Sequence, residues 1–319
     1  MKSRTLFIAC CLLSFLCASP AFAWNKKGHM VVAFVAYKQL DPTVRKRADA
    51  LLKLNPSFKH WLTMIPPSVP AADRNLAIFM IAATWPDQIK SDPTFHDDGT
   101  QDGNVPNGPS SSQNTGFSDK LRHKYWHFVD LPFADPASLP VPTVVTTNAQ
   151  ERITLFLSVL NSSAADPLKS YDLAWLLHII GDVHQPLHAA TRITAGDADG
   201  DDGGNGVKIT CAPTPCKMPK LHSVWDGLLG AQEDVAIAMT TAKGLPGTDP
   251  KRAAILDEAM WITESFDLAK TVVYAAPVGP GSGPFTLSSK YNTTARRVGR
   301  AQAALAGARL AAVLNRDLK

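Results

Sequence analysis

The sequence predicts an all-α fold in one domain, on three observations. Apolar residues recur at helical spacing through most of the chain, alternating β patterns are scarce, and no linker-like stretch divides it. The helical segments run over approximately 29–40, 43–54, 71–84, 147–162, 168–184, 222–240, 250–275 and 294–316. In chain order, Asp41-Pro42 separates the first two, and the Pro- and Ser-containing stretch 55–70 separates the second from the third. The fourth and fifth precede a histidine-rich stretch, and the last is Ala-rich from Thr294 onward, as suits a closing helix. Gly206-Val-Lys-Ile-Thr-Cys211 is the best candidate for a short strand. Two long loops, 91–120 and 191–220, interrupt the helices, and loops of that length inside a domain are commonly functional.

Residues 1–23 read as a secretory signal peptide: Lys2 and Arg4, an apolar run from Leu6 to about Ala18, then Ala21-Phe22-Ala23. The run is shorter than the roughly 20 apolar residues a bilayer span needs. Cleavage after Ala23 leaves one domain, 24–319, in a secreted or periplasmic protein that begins at Trp24, with no stable membrane association expected. Cys10, Cys11 and Cys17 leave with the signal, so Cys211 and Cys216 are expected to form a local disulfide in an oxidising compartment. Asn161 and Asn292 head glycosylation sequons. Removal of Lys2 and Arg4 leaves 30 basic against 28 acidic residues, a formal charge of +2. Bulk charge of that size excludes nonspecific polyanion binding, so phosphate affinity must be concentrated in a site. Asp197-Ala-Asp-Gly-Asp-Asp-Gly203 fails as a calcium loop, because Asp202 replaces the turn glycine and Lys208 the bidentate glutamate.

The densest chemistry lies in His178-Ile-Ile-Gly-Asp182-Val-His184-Gln-Pro-Leu-His188. His178 and Asp182, at i and i+4, share one helix face and can converge on a cation. Pro186 ends the helix and returns His188 at a new angle. His222 and Asp226 repeat the i, i+4 spacing, which alone is also that of an ordinary helix-surface contact. Asp87 follows Trp85-Pro86, where a turn or capping aspartate is the plain alternative, and His127 sits among aromatics in Tyr125-Trp126-His127-Phe128-Val129-Asp130, where a core histidine is. If that last segment is extended, His127 and Val129 face one way, Phe128 and Asp130 the other. A free amine and carbonyl at Trp24 could chelate a cation, with His29 five residues on.

Together these motifs resemble the S1/P1 nuclease family: Trp24, Gly28-His29, Trp85-Pro86-Asp87, His127-Phe128-Val129-Asp130, the His178–His188 run, Gly203-Gly204-Asn205, His222-Ser-Val-Trp-Asp226, Trp261…Glu264-Ser265 and the stretch 306–315. The resemblance runs in order through the whole chain after residue 23. It implies the helical phospholipase C/P1 nuclease fold and three zinc ions. Asp87, His127, His178 and Asp182 would hold the first ion. Asp182, Trp24 and His29 would hold the second, and His188, His222 and Asp226 the third. Asp87, Asp182 and Lys90 carry the catalytic roles, with Lys90 near the phosphate. Phe128 would stack on a base whose edge Asp130 and Asn205 read. His184 would support the cluster without ligating, while His60, His96 and His123 are expected in loops or at the surface.

The activity so implied is zinc-dependent hydrolysis of single-stranded DNA and RNA to 5′-phosphate products, with 3′-nucleotidase activity on nucleotides, by a monomer. A zinc phospholipase C shares this metal architecture but typically places Glu where Asp226 stands and lacks the Phe128/Asp130 pocket. A non-catalytic secreted zinc-binding protein would need neither Lys90 nor the base-pocket residues.

Overall fold

The computed structural model describes residues 24–98, 120–210 and 220–318. The signal-like segment, most of the first long loop, and Cys211 and Cys216 lie outside the described residues. The remainder is built from helices α1 (Lys26–Gln39), α2 (Pro42–Leu52), α3 (Phe58–Thr63), α4 (Arg74–Ala82), α5 (Trp85–Ser91), α6 (Ala149–Leu160) and α7 (Asp166–Asp182). They continue with α8 (Leu221–Asp226), α9 (Val235–Lys243), α10 (Pro250–Ala253), α11 (Glu258–Leu268) and α12 (Ser289–Asp317). The all-α expectation therefore holds.

Local chemistry explains where these helices begin. Pro occupies the first turn of α2, α5, α7 and α10, where its missing N–H has no intrahelical partner to lose. Asn25, Asn148, Asp234 and Ser288 cap α1, α6, α9 and α12 by accepting from free backbone N–H groups. The tail of α7 is apolar on nearly every side, and all its residues from Lys169 to Asp182 are buried. Such a helix belongs at the centre of a fold. α1 packs against α4, α7, α9 and α12. The main core holds Trp61, Phe79, Trp126, Trp175 and Trp261; a smaller cluster surrounds Trp225, Tyr274 and Tyr291.

The helix boundaries depart from the periodicity in two places. The segment 222–240 is two helices, because α8 passes into a 3-10 turn at Gly227–Leu229 and then Gly230, whose φ of 100° L-residues avoid. The segment 250–275 also divides, with Asp257 capping α11 through the N–H of Ala259 at 2.9 Å. α11 then runs into a π-helical turn at Ala269–Val273.

Strands are short. β1 (Leu131–Ala134) and β2 (Ala190–Ile193) pair in parallel, with Leu131 opposite Ala190. Nothing in the alternation pattern announces them, since β2 is buried on both faces. Within the predicted strand, Ile209–Thr210 forms β3, parallel to β4 (Phe285–Thr286).

The last helix braces the others. Arg309 is fully buried on α12 and bonds both carboxylate oxygens of Glu264 at 2.9 and 3.0 Å, and the carbonyl of Arg252. A buried guanidinium is tolerable only with its donors satisfied in this way. Asn315 donates to the carbonyl of Gln39 at 3.1 Å and accepts from the N–H of Asp41 at 2.9 Å, tying α12 to the end of α1. Among the described residues, no helix is long and apolar enough to cross a membrane.

Candidate metal centre

The C-terminal half of α7 places His178 and Asp182 one turn apart on one face, as their spacing predicts, and three further elements aim side chains at them. α1 supplies His29, the first turn of α5 supplies Asp87, and a 3-10 turn, Lys124–His127, supplies His127. Pro86 lies in the first turn of α5, so Asp87 sits in a helical first turn.

Three groups of side-chain atoms converge closely enough to hold cations: His29, Asp87 and His178; His127, His178 and Asp182; His188, His222 and Asp226. In the first two, His178 Nε2 lies 2.9 Å from His127 Nδ1, 3.2 Å from Asp182 Oδ2 and 3.7 Å from Asp87 Oδ1. His29 Nε2 lies 3.3 Å from Asp182 Oδ1, and the His29 ring stacks on His178 at 3.7 Å. In the third group, His188 Nε2 and His222 Nε2 are 3.2 Å apart, with Asp226 Oδ2 3.5 Å from His222.

The far sides of these rings identify which nitrogens are lone-pair donors. His178 Nδ1 donates to the carbonyl of Ala83 at 2.7 Å, His188 Nδ1 to that of His127 at 2.8 Å, and His222 Nδ1 to that of Gly203 at 2.7 Å. With Nδ1 carrying the proton, each Nε2 turns a lone pair into the cluster, as metal-ligating histidines do. Two such nitrogens 3.2 Å apart repel unless something positive lies near both. Both ring nitrogens of His29, His127 Nε2 and Asp182 Oδ1 are buried without a hydrogen-bond partner. Unpartnered buried polar atoms are costly, and divalent zinc is the cation whose preferred ligands are these nitrogens and carboxylates. The residues present fit such ions.

Burial also sets the charge states. It pushes His29, His127 and His188 well below the ordinary histidine range, aided by neighbouring cations, so these rings are neutral. Burial opposes a charge on His178, but Asp182 and Asp87 outweigh it and raise its pKa. Burial raises Asp182 to about 6 and pushes Asp226 well above the carboxylate range. Anionic carboxylates packed this densely are unfavourable until a cation offsets them.

Two glycines make room for this packing. A Cβ on Gly181 would stand 3.2 Å from His29 Nδ1. Gly203 has φ of 56°, and a Cβ there would meet the carbonyl oxygen of Leu187 at 2.4 Å. Trp24 is wholly buried against this region, its indole N–H donating to the carbonyl of Gly181 at 3.0 Å. The next residue, Asn25, donates its N–H to the carbonyl of Asp226 at 3.3 Å. The start of the described chain thus lies between the two ends of the cluster.

A pocket opens beside the His188 group, lined by Lys90, Lys124, His127, Phe128, Asp130, Asp202, Asn205 and His222 among others. Every substrate-contact residue expected from the sequence is therefore on its wall. Lys90 Nζ lies 2.9 Å from Asp87 Oδ1. Asn205 donates to the carbonyl of Asp202 at 2.9 Å, leaving its buried Oδ1 without a partner. Burial, then the charges of Asp202 and Asp201, pushes Asp130 well above the carboxylate range. The segment is 3-10 helical to His127 and Asp130 has φ of 51°, so 125–130 is not one extended run, yet His127 and Val129 are buried while Phe128 and Asp130 are half-buried on the pocket wall.

His184 lies off the cluster, donating to the carbonyl of Ile180 at 2.7 Å and facing Arg309 at 3.0 Å. Burial and Arg309 lower its pKa to about 3. His60 and His96 are exposed, as expected. His123 is not: it is fully buried, stacked on Trp126 at 3.5 Å and 2.5 Å from Asp98. Three residues escaped the sequence reading. Gln185 donates to Asp226 Oδ1 at 2.8 Å and accepts from the N–H of Leu187 at 2.6 Å, fixing the outer carboxylate and the turn carrying His188. Its place between His184 and Pro186 was a usable signal. Lys124 and Asp202 carried none beyond adjacency to the motifs.

The chain matches the S1/P1 Nuclease family over residues 24–319. No curated protein matches it.

Proposed function

Because that match makes the chain a member of the S1/P1 nuclease family, a family of zinc-dependent phosphodiester hydrolases, we propose that it cuts single-stranded DNA and RNA endonucleolytically, leaving 5′-phosphates, and removes 3′-phosphates from nucleotides. The observation that carries this reading is the junction of two features. Histidine lone pairs converge beside buried carboxylates, and three of those histidines, His127, His188 and His222, wall a pocket that contains Phe128, Asp130 and Asn205.

In this proposal Asp87, His127, His178 and Asp182 hold one zinc. Asp182, His29 and the freed amine and carbonyl of Trp24 hold a second, and His188, His222 and Asp226 a third. Bound zinc supplies Lewis-acid polarisation of phosphate oxygens and a more acidic water. The chain's own residues supply the rest. Neutral His29, His127 and His188 need lose no proton to ligate, and the backbone carbonyls hold the outer rings in the required tautomer. Were Asp87 to ligate a cation, its hold on Lys90, now 2.9 Å away, would weaken and leave that ammonium for a phosphate oxygen. Phe128 offers a stacking face for any base, and Asp130 and the free Oδ1 of Asn205 meet its edge. A base held in a duplex reaches this pocket only by leaving its stack, which favours single strands. A signal peptidase cut before Trp24, export and a Cys211–Cys216 disulfide complete the reading.

The test is hydrolysis of single-stranded DNA, single-stranded RNA and phosphatidylcholine vesicles by protein beginning at Trp24, with and without a chelator. Chelator-sensitive cutting of both polynucleotides, with lipid intact, is expected. Lipid cleavage without nucleolysis would replace this reading with a phospholipase, and silence on all three by zinc-loaded protein would leave a binding protein.

A further inference from the structure

A basic run leads away from the pocket that the proposed reaction does not use: Lys120, Arg122 and Lys124. In a chain whose charge after residue 23 is only +2, such clustering is not background. Lys124 lines the pocket together with Lys90. Its Nζ lies 2.7 Å from Asp97 Oδ1, while Arg122 Nη1 takes Asp97 Oδ2 at 3.1 Å. Lys120 stands over the Phe95 ring at 4.8 Å.

The backbone beneath these cations is fixed. His96 N–H donates to the carbonyl of Lys120 at 2.7 Å, Arg122 N–H to that of His96 at 3.0 Å, and His123 N–H to Asp98 Oδ1 at 2.7 Å. The buried, stacked ring of His123 anchors the run immediately before the turn that delivers His127. Arg122 and Lys124 are thus held side by side on one carboxylate, Lys124 on the pocket wall and Arg122 beside it with its Nη2 also donating to the carbonyl of Asp92 at 3.2 Å.

That carboxylate is itself half exposed, with 53 % of the Asp97 side chain open to solvent. The Arg122 and Lys124 side chains are only 19 % and 20 % open, but the carboxylate they share faces solvent, so phosphodiester oxygens can compete with Asp97 for them from that side. A mononucleotide ends at the pocket, but a strand carries a further phosphate for every nucleotide beyond it. We propose that Arg122 and Lys124, ordered by Asp97 in the free protein, bind the phosphates of the nucleotides flanking the cleaved bond. The track rests on the nuclease reading for its location, and makes a polynucleotide a better substrate than a mononucleotide.

The experiment measures binding of a fluorescent single-stranded oligothymidylate by zinc-loaded protein across a salt series, with hydrolysis of the same strand and of a 3′-mononucleotide in parallel. In Arg122→Gln/Lys124→Gln, Kd rises about tenfold and the salt slope becomes shallower by roughly 1.4, two single-strand phosphate contacts' worth. The kcat/KM loss is larger for the strand than for the mononucleotide. The pair Lys53→Gln/Lys59→Gln removes equal charge from exposed positions away from the pocket and leaves the slope in place. Asp97→Asn tightens binding, a gain that no loss of structure imitates. An unchanged slope in the double variant, an equal change in the control pair, an equal loss on both substrates, or no gain in Asp97→Asn overturns the proposal. Wild-type protein that binds the strand yet cleaves neither substrate refutes the nuclease reading, while the salt slopes still judge the track.

Discussion

The inner groups around Asp182 and the outer group around Asp226 use the same residue types in different settings. The inner side chains come from α1, α5, α7 and the turn before Phe128, and their exposure is 1 % or less. They are pinned mainly to one another, through His178, Asp182 and the stacked His29 ring. The outer side chains come from a 3-10 turn and the six-residue α8, place His188 and His222 on the pocket wall, and lean on Gln185 and on the carbonyls of His127 and Gly203. A side chain of the inner groups is therefore also a core residue, whereas one of the outer group can be replaced with the core intact.

The sharpest way to break this contrast is Asp182→Asn beside Asp226→Asn. Asp182→Asn should lower hydrolysis by roughly a thousandfold or more, as expected when metal contributions of several kcal/mol are removed, and should cost more than one zinc by elemental analysis. Asp226→Asn should release one zinc equivalent and leave the far-UV spectrum and the inner ions in place. Equal zinc loss from both variants would erase the distinction. Next in size, Gln185→Ala should weaken the outer ion about 10–100-fold, the usual cost of removing a ligand's supporting partner, with little effect on the inner ones. Zinc titration against a competing chelator measures this.

A smaller effect separates core from site by pH. His184 has a folded pKa of about 3 against an ordinary value near 6.5, so its contribution to stability is complete above about 6.5 and is lost as pH falls toward 3. Metal-free His184→Gln should therefore show a flatter fall in Tm over that window than wild type. A fall of unchanged steepness would assign the acid sensitivity to the ligand histidines alone. The smallest expected change is Gly181→Ala, about 1–3 kcal/mol of overpacking against His29 and seen in thermal unfolding.

The convergence of these side chains was legible in the sequence because helical spacing is itself geometry: His178 with Asp182, and His222 with Asp226, meet simply because α7 and α8 are helices. Helices with strong periodicity were legible for the same reason. The breaks at Gly230 and Ala254–Asp257 were not, since apolar period runs through them and only φ and capping decide. His123 was misplaced because its burial depends on Trp126 and Asp98 meeting it across a turn, a tertiary contact without a sequence period. Gln185 and Lys124 act through partners 41 and 27 residues away, Asp226 and Asp97, and no sequence period marks such pairs.

The brace supplied by α12 also bears on how the cluster keeps its shape. Arg309 and Asn315 belong to none of the three side-chain groups, yet they secure the end of α1, which carries His29, and the turn after α7. The geometry around Asp182 is therefore held from a helix that contributes no side chain to it, and damage far from the histidines can loosen them as surely as damage among them.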